Sequence, residues 1–175
     1  MKILFYDKFF DSFVKLPRGI QKKVVDFQKK FRENSRSAAI HLEPIEAAQD
    51  KSLKSARIDG TYRAIVKIPD SGEVYYLLWV DHHDEAYAWA KNKIFQWNEH
   101  TQAMQVFTAT SKKAEPEKAE EVTKEGLFSA YEDEKLRKIG VPKILLPGVK
   151  MIENLDGLEE AESRLPEDVF ENLFY

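Results

Sequence analysis

The chain has 175 residues, 43% hydrophobic and 12% aromatic, which is enough for a core and excludes a wholly disordered polypeptide. With no cysteine, disulfides and thiolate metal sites are excluded, and a reducing, cytoplasmic compartment is expected. The formal net charge of −3 is uneven, because residues 1–110 carry 17 basic against 14 acidic side chains while 111–175 carry 10 against 16.

The first part therefore has a net charge of +3 and could hold a nucleic acid only through a local cluster of cations, not through its overall field. The opening MKILFYDKFF mixes charge with apolar residues, has no small-residue cleavage site and is not read as a signal peptide. No run approaches the roughly 18 apolar residues of a membrane span, so no membrane partner is expected. ILFY at 3–6 predicts a short strand, and Asp7 is placed to cap the helix after it. Pro17 ends that helix. A second follows, with Ile20, Val24, Phe27 and Phe31 on one face and Lys22, Lys23, Lys29, Lys30 and Arg32 on the others. The two make an αα-hairpin that must cover an apolar surface.

That surface is the sheet predicted next, with strands at 53–58, 61–68 and 74–80. Asp59-Gly60 signals a two-residue type I′ hairpin turn, and Asp70-Ser71-Gly72 supplies the second turn of a three-stranded meander. VYYLLWV is apolar on both faces and is placed centrally. Asp81 is placed to cap the next helix, with Asp84 and Glu85 near its positive end, and Ala86, Ala90, Ile94 and Trp97 extend the helical spacing. Asn98 to Thr101 reads as a turn and AMQVFTA as a further short strand. Three segments result: a domain at 1–108, a Lys/Glu/Ala-rich linker at 109–125, and short helices at 126–175 broken at Gly140, Pro142, Pro147 and Pro166. Short helices without a sheet rarely make an independent core. The apolar NLFY at the end suggests a polypeptide that continues or a tail that docks elsewhere.

The residues that invite a chemical reading lie in WVDHHDEAYAWA. On a helix His82 and His83 diverge by roughly 100°, whereas metal-binding helices prefer histidines at i and i+4. A site built from His83, Asp81 and distant His41 is open, but no spacing demands it, and no metal is assigned. A histidine at a helix N-terminus has its charged form disfavoured and stays available as a neutral base. Arg57 and Arg63 lie on strands paired across the Asp59-Gly60 turn, near enough to share a phosphate. With a two-residue turn, however, Arg63 faces the side of Ala56 and Ile58, and Arg57 that of Tyr62. Lys54 and Lys67, on the same strands, complete the candidate nucleic-acid contacts. The chain has no phosphate loop, no GxGxxG and no GxSxG, which argues against ATP hydrolysis, dinucleotide binding and serine-hydrolase chemistry, and no cofactor is assigned.

The αα-hairpin, the meander with GTYRAIV and the strand running into HHDEAY resemble the RelE/ParE toxin superfamily over roughly residues 1–97. The resemblance implies an α+β fold, an αα-hairpin packed on a small antiparallel sheet with a further helix, and an antitoxin-like partner. It matches Tyr62-Arg63 to the family's Tyr-Arg pair, and His83 and Tyr87 to its basic residue four before a tyrosine. It thus implies a metal-independent ribonuclease site of Arg63, His82, His83 and Tyr87, in which such groups hold the scissile phosphate and assist attack of the RNA 2′-hydroxyl. The departures are the low net charge and the carboxylates Asp81 and Asp84 beside the site. FDSFVKLPRGIQKKVVDFQKKF, LEPI, SARIDGTYRAIV, DHHDEAYAWA and LRKIGVPKILLPGVKMI further resemble the region before the motor domains of some bacterial UvrD/Rep-like DNA helicases. That resemblance implies an accessory module, lacking its own ATPase, which binds nucleic acid or a partner protein ahead of a downstream motor.

Overall fold

The computed structural model describes residues 2–35, 37–68, 74–109 and 126–174. The Asp70-Ser71-Gly72 turn, residues 110–125 of the expected linker and the final Tyr175 lie outside the described residues. The chain divides into two compact units, Met1–Lys93 and Ile94–Tyr175.

The first unit is built on β1 (Lys2–Phe5), α1 (Asp7–Val14), α2 (Arg18–Glu33), β2 (Glu43–Pro44), β3 (Leu53–Arg57), β4 (Tyr62–Lys67), β5 (Val74–His82) and α3 (His83–Ala90). Its sheet runs β1-β5-β4-β3-β2. β1 pairs parallel to β5, and the other neighbours are antiparallel. VYYLLWV is thus an interior strand between β1 and β4, as its two apolar faces require. β4 holds the middle position.

The αα-hairpin covers one face. Val24, Phe27 and Phe31 of α2 are buried with Phe9 and Leu16 against Ala56, Ala64, Val66, Leu77 and Val80, and Ile20 packs on the edge of this cluster. Full burial of each large apolar side chain contributes about 1.5–3 kcal/mol. Phe31 stacks on Phe27 at 5.5 Å and meets the Tyr75 ring edge-on at 5.3 Å. Beyond Leu77, where pairing with β1 stops, the Val80 N–H donates to Ser12 Oγ at 3.0 Å, and that hydroxyl donates to the Phe9 carbonyl. A buried serine thus satisfies a strand amide that would otherwise be orphaned.

Three local expectations change. Asp7 and Asp81 do not cap: the N-cap positions belong to Tyr6 and His82, and neither makes a side-chain cap bond. Asp7 is the first residue of α1, where its charge still favours the helix dipole. α3 stops at Ala90, and Lys93–Asn98 is a strand, because Ile94, Phe95 and Trp97 belong to a β-rich run in which helical spacing recurs by chance.

The third change concerns the hairpin. Arg57 lies directly opposite Arg63, and Ile58 N–H donates to the Tyr62 carbonyl, so the loop has three residues, Asp59 to Thr61. Gly60 is not at positive φ, and no type I′ turn forms. Instead Asp59 Oδ1 accepts from the N–H groups of Thr61 and Tyr62 at 2.8 and 2.9 Å and organises the loop from its side chain.

From Ile94 on, the second unit contains the two-stranded sheet of β6 (Lys93–Asn98, its first residue in the first unit) and β7 (Ala103–Thr108), then α4 (Asp133–Lys138), α5 (Leu146–Lys150), α6 (Leu155–Ala161) and α7 (Glu167–Phe174), with single 3₁₀ turns at Lys143–Leu145 and Glu162–Arg164. The one tail strand expected to complete the first domain to residue 108, AMQVFTA, falls in this unit as β7. Contrary to expectation, the short helices do make a core: Leu136, Val141, Leu146, Val149, Ile152, Leu158, Leu165, Val169 and Leu173 pack together. Each helix supplies only one or two buried residues, and the Gly and Pro breakers fold the chain so that these short apolar faces meet. At Gly140 the backbone takes φ +108°, a conformation glycine adopts without steric cost.

Candidate nucleic-acid interface

The three-residue loop decides the site. Side chains directly opposite in an antiparallel pair share a face, so the register Arg57↔Arg63↔Asp81 sets these three in a row across β3, β4 and β5. This corrects the expectation of two arginines on opposite faces. One extra loop residue shifts the pairing by one, which reverses the face of one strand's side chains relative to the other's.

The adjacent row on this face is Ser55, Ile65 and Trp79, and α3 covers it. The Tyr87 hydroxyl donates to Ser55 Oγ at 3.1 Å, and Trp89 stacks on Trp79 with ring centres 4.9 Å apart. The first residue of α3 is tied to the hairpin loop, because the His83 N–H donates to the Thr61 carbonyl at 2.8 Å. Its imidazole lies 4.3 Å from the Tyr87 ring, and its Nδ1 is 3.0 Å from Asp84 Oδ1. The hydrogen bond from His83 holds the Asp84 carboxyl below its ordinary value; burial opposes it, and the His83 and His82 charges add to the lowering.

Arg57, Arg63, His83 and Tyr87 therefore belong to one face. Arg63, only 9% exposed, is partly committed: its Nη1 donates to the carbonyls of Asp59 and Tyr62 at 2.7 and 3.0 Å. Arg57 is exposed. Asp81 accepts from the His82 N–H at 2.8 Å.

Of the remaining candidates, His82 and Lys54 lie on the alternate positions, and Lys67, opposite Leu53, shares the face by register but is buried. His82 lies opposite Tyr62, on the alternate set of positions, and its ring meets that tyrosine edge-on at 5.8 Å. Lys54, opposite Pro44 and Val66, is also on the alternate set. Lys67 is buried and donates to Ser52 Oγ at 2.6 Å with Asp50 Oδ2 at 3.8 Å, so its charge is answered within the fold. Among the described residues no group of three or more His, Asp or Glu is placed to hold a metal ion, and none of their helices is long and apolar enough to cross a membrane.

Sequence reasoning missed two supports of this face. Ser55 holds Tyr87, and its position two residues before Arg57 on a strand was the available signal. Asp59 holds the loop and pairs with Lys23 of α2 at 2.7 Å. Burial raises the Asp59 pKa, but the hydrogen bonds from Lys23 and from the Thr61 and Tyr62 N–H groups, with the Lys23 charge, outweigh it and bring the value from 3.8 to about 2.

No protein-family model and no curated protein matches the chain. Among solved structures it is similar to a YoeB/ParE toxin from Agrobacterium tumefaciens, with 16% identity, TM-score 0.40 and coverage of 47% of this chain and 99% of that one. It is similar to the RelBE2 toxin–antitoxin complex from Mycobacterium tuberculosis, with 30% identity, TM-score 0.39 and coverage of 47% and 90%. A third likeness is to the RelB–RelE antitoxin–toxin complex from Methanococcus jannaschii, with 19% identity, TM-score 0.37 and coverage of 49% and 96%. Each likeness is to a toxin or toxin–antitoxin structure and spans about half of this chain.

Proposed function

We propose that the first unit is a RelE/ParE-type module that engages RNA on its Arg57–Arg63 face and supports metal-independent cleavage. The observation that carries this reading is the His83–Asp84 pair set against Tyr87 on that face. With Nδ1 donating to Asp84, the neutral ring keeps its lone pair on Nε2, the arrangement of an oriented general base. In the proposed step Nε2 takes the proton of an RNA 2′-hydroxyl, whose oxygen attacks the neighbouring phosphorus. The P–O5′ bond breaks and the 5′-oxygen takes a proton from water, giving a 2′,3′-cyclic phosphate and a free 5′-hydroxyl. Arg57 and the free edge of Arg63 neutralise charge on the phosphoryl oxygens, and Tyr87, anchored by Ser55, positions the imidazole. The low net charge and the Asp81 carboxylate in the row point to a substrate presented by a larger assembly such as a ribosome, and an antitoxin-like protein is the natural cover for the face.

The test is cleavage of ribosome-bound and free RNA by the wild-type chain, His83→Ala and Arg57→Ala. Cleavage abolished in both variants supports the proposal. Equal products from all three would sink it.

A second reading is favoured by the separately packed unit Ile94–Tyr175, for which the first has no use. In it the chain is a non-cleaving accessory module of a UvrD/Rep-like helicase, and the Arg57–Arg63 face only binds. Salt-dependent binding of DNA or RNA without cleavage, weakened in Arg57→Ala, would favour it over the first.

A further inference from the structure

The second unit carries cations that no acidic side chain among the described residues pairs. A cavity of about 260 Å³ opens beside the β6–β7 turn and the segment after α4, and Trp97, His100, Arg137, Lys143 and Glu99 stand around it. Its floor is fixed. Asn98 and Gln105, 9% and 3% exposed, both donate their side-chain amides to the Gly140 carbonyl at 2.8 Å. Asn98 Nδ2 also donates to Gln105 Oε1 at 3.0 Å, and Asn98 Oδ1 accepts from the His100 and Thr101 N–H groups. The floor's polar groups are therefore consumed internally and hold the rim in place.

The rim is different. Lys138 and Lys150 of this unit are paired with Glu134 and Asp133. Arg137, Lys143 and the His100 ring have no such partner among the described residues, although residues 94–175 carry 17 acidic against 10 basic side chains. Trp97 adds an indole that is 46% exposed. One acidic side chain, Glu99, shares the rim. Two permanent cations flanking a shallow cavity with an exposed flat aromatic match a nucleotide, whose phosphate needs charge-assisted donors and whose base needs a stacking surface.

We infer that the cavity between the β6–β7 turn and the Gly140 bend is a nucleotide-binding subsite, with a base stacked on Trp97 and its phosphate held by Arg137 and Lys143. The site lies wholly within the second unit and does not rest on the reading of the Arg57–Arg63 face. The ligand chemistry is that of one nucleotide, free or within a single strand.

The experiment measures binding of fluorescein-labelled oligouridylate and oligothymidylate, about ten nucleotides long, to the full 175-residue chain across a salt series. Uridine monophosphate and polyglutamate serve as competitors. Trp97→Ala is expected to weaken binding about 5- to 150-fold, the worth of one stacked base, and Trp97→Phe to restore most of it. Arg137→Ala with Lys143→Ala should weaken binding at least tenfold and flatten the slope of log affinity against log salt by about 0.7 for each phosphate no longer neutralised. Arg57→Ala should leave this Trp97-dependent part intact, which separates the site from the first unit's face. Displacement by uridine monophosphate would identify a free nucleotide as sufficient, and retention despite it would identify the strand. The proposal is overturned if neither oligonucleotide nor the monophosphate binds, if the Trp97 and Arg137/Lys143 variants bind like wild type, or if polyglutamate displaces the strand while Trp97→Ala has no effect.

Discussion

The cations of the first unit's sheet and those around the second unit's cavity live under opposite conditions. Lys67 is held by Asp50 and Ser52, Arg63 gives one edge to loop carbonyls, and Lys23 is paired with Asp59, leaving Arg57 as the exposed arginine of the row. In the second unit, acidic in total, Arg137 and Lys143 stand without an acidic partner among the described residues. Net charge thus misreports where an anion would be held. What matters is whether each cation already has a carboxylate or carbonyl within hydrogen-bond reach, and only the fold assigns those partners.

The comparison breaks first if the frame that commits the first unit's cations is removed. Phe31→Ala deletes a fully buried ring packed on Phe27 and Tyr75, and should lower unfolding free energy by about 3–5 kcal/mol in a denaturant titration. A cost below about 1 kcal/mol would mean that the hairpin does not carry this core. A direct contrast comes next. Lys67→Met removes the cation facing the Asp50 carboxylate, 11% exposed, and should cost about 2–3 kcal/mol, whereas Lys143→Met should stay within about 0.5 kcal/mol. Equal costs would erase the distinction between committed and free cations.

The Asp59–Lys23 pair gives a pH test. The folded-state pKa of Asp59 is brought from 3.8 to about 2, so its contribution is fully present above 3.8 and is lost as pH falls through about 2. After discounting for solvent screening it is worth about 1–2 kcal/mol. Asp59→Asn should lower stability near neutrality by that amount and flatten its fall between about pH 4 and 2; an unchanged acid limb would show that the loop does not depend on this carboxylate. The smallest effect belongs to Arg57. If it touches a single phosphate, Arg57→Ala should reduce the salt slope of RNA binding by about 0.7 without changing thermal stability. Loss of stability instead would mark it as structural.

Much of the first unit was legible because its signals are local and repeat. The spacing Val24, Phe27, Phe31 marks a buried helix face whatever it packs on, and VYYLLWV can be apolar on both sides only as an interior strand. The second unit was less legible, since helices as short as Leu146–Lys150 give too few turns for periodicity to declare a face, and their core exists only once the chain has been folded back at Gly140 and the prolines.

By itself the sequence determined which residues could carry chemistry: the arginines of β3 and β4, the histidines at the end of β5 and Tyr87. It could not determine which of them meet. Asp59-Gly60 fits a two-residue turn as readily as the three-residue loop the chain adopts, and the choice rests on Asp59 bonding to its own loop and to Lys23 of a distant helix. That single residue of register places Arg57 beside Arg63, while the β4–β5 register, which pairs Tyr62 with His82, leaves His82 on the alternate positions, because side chains alternate faces at every step along a strand. Tertiary pairing, not local propensity, fixes the register, and the register fixes the candidate site.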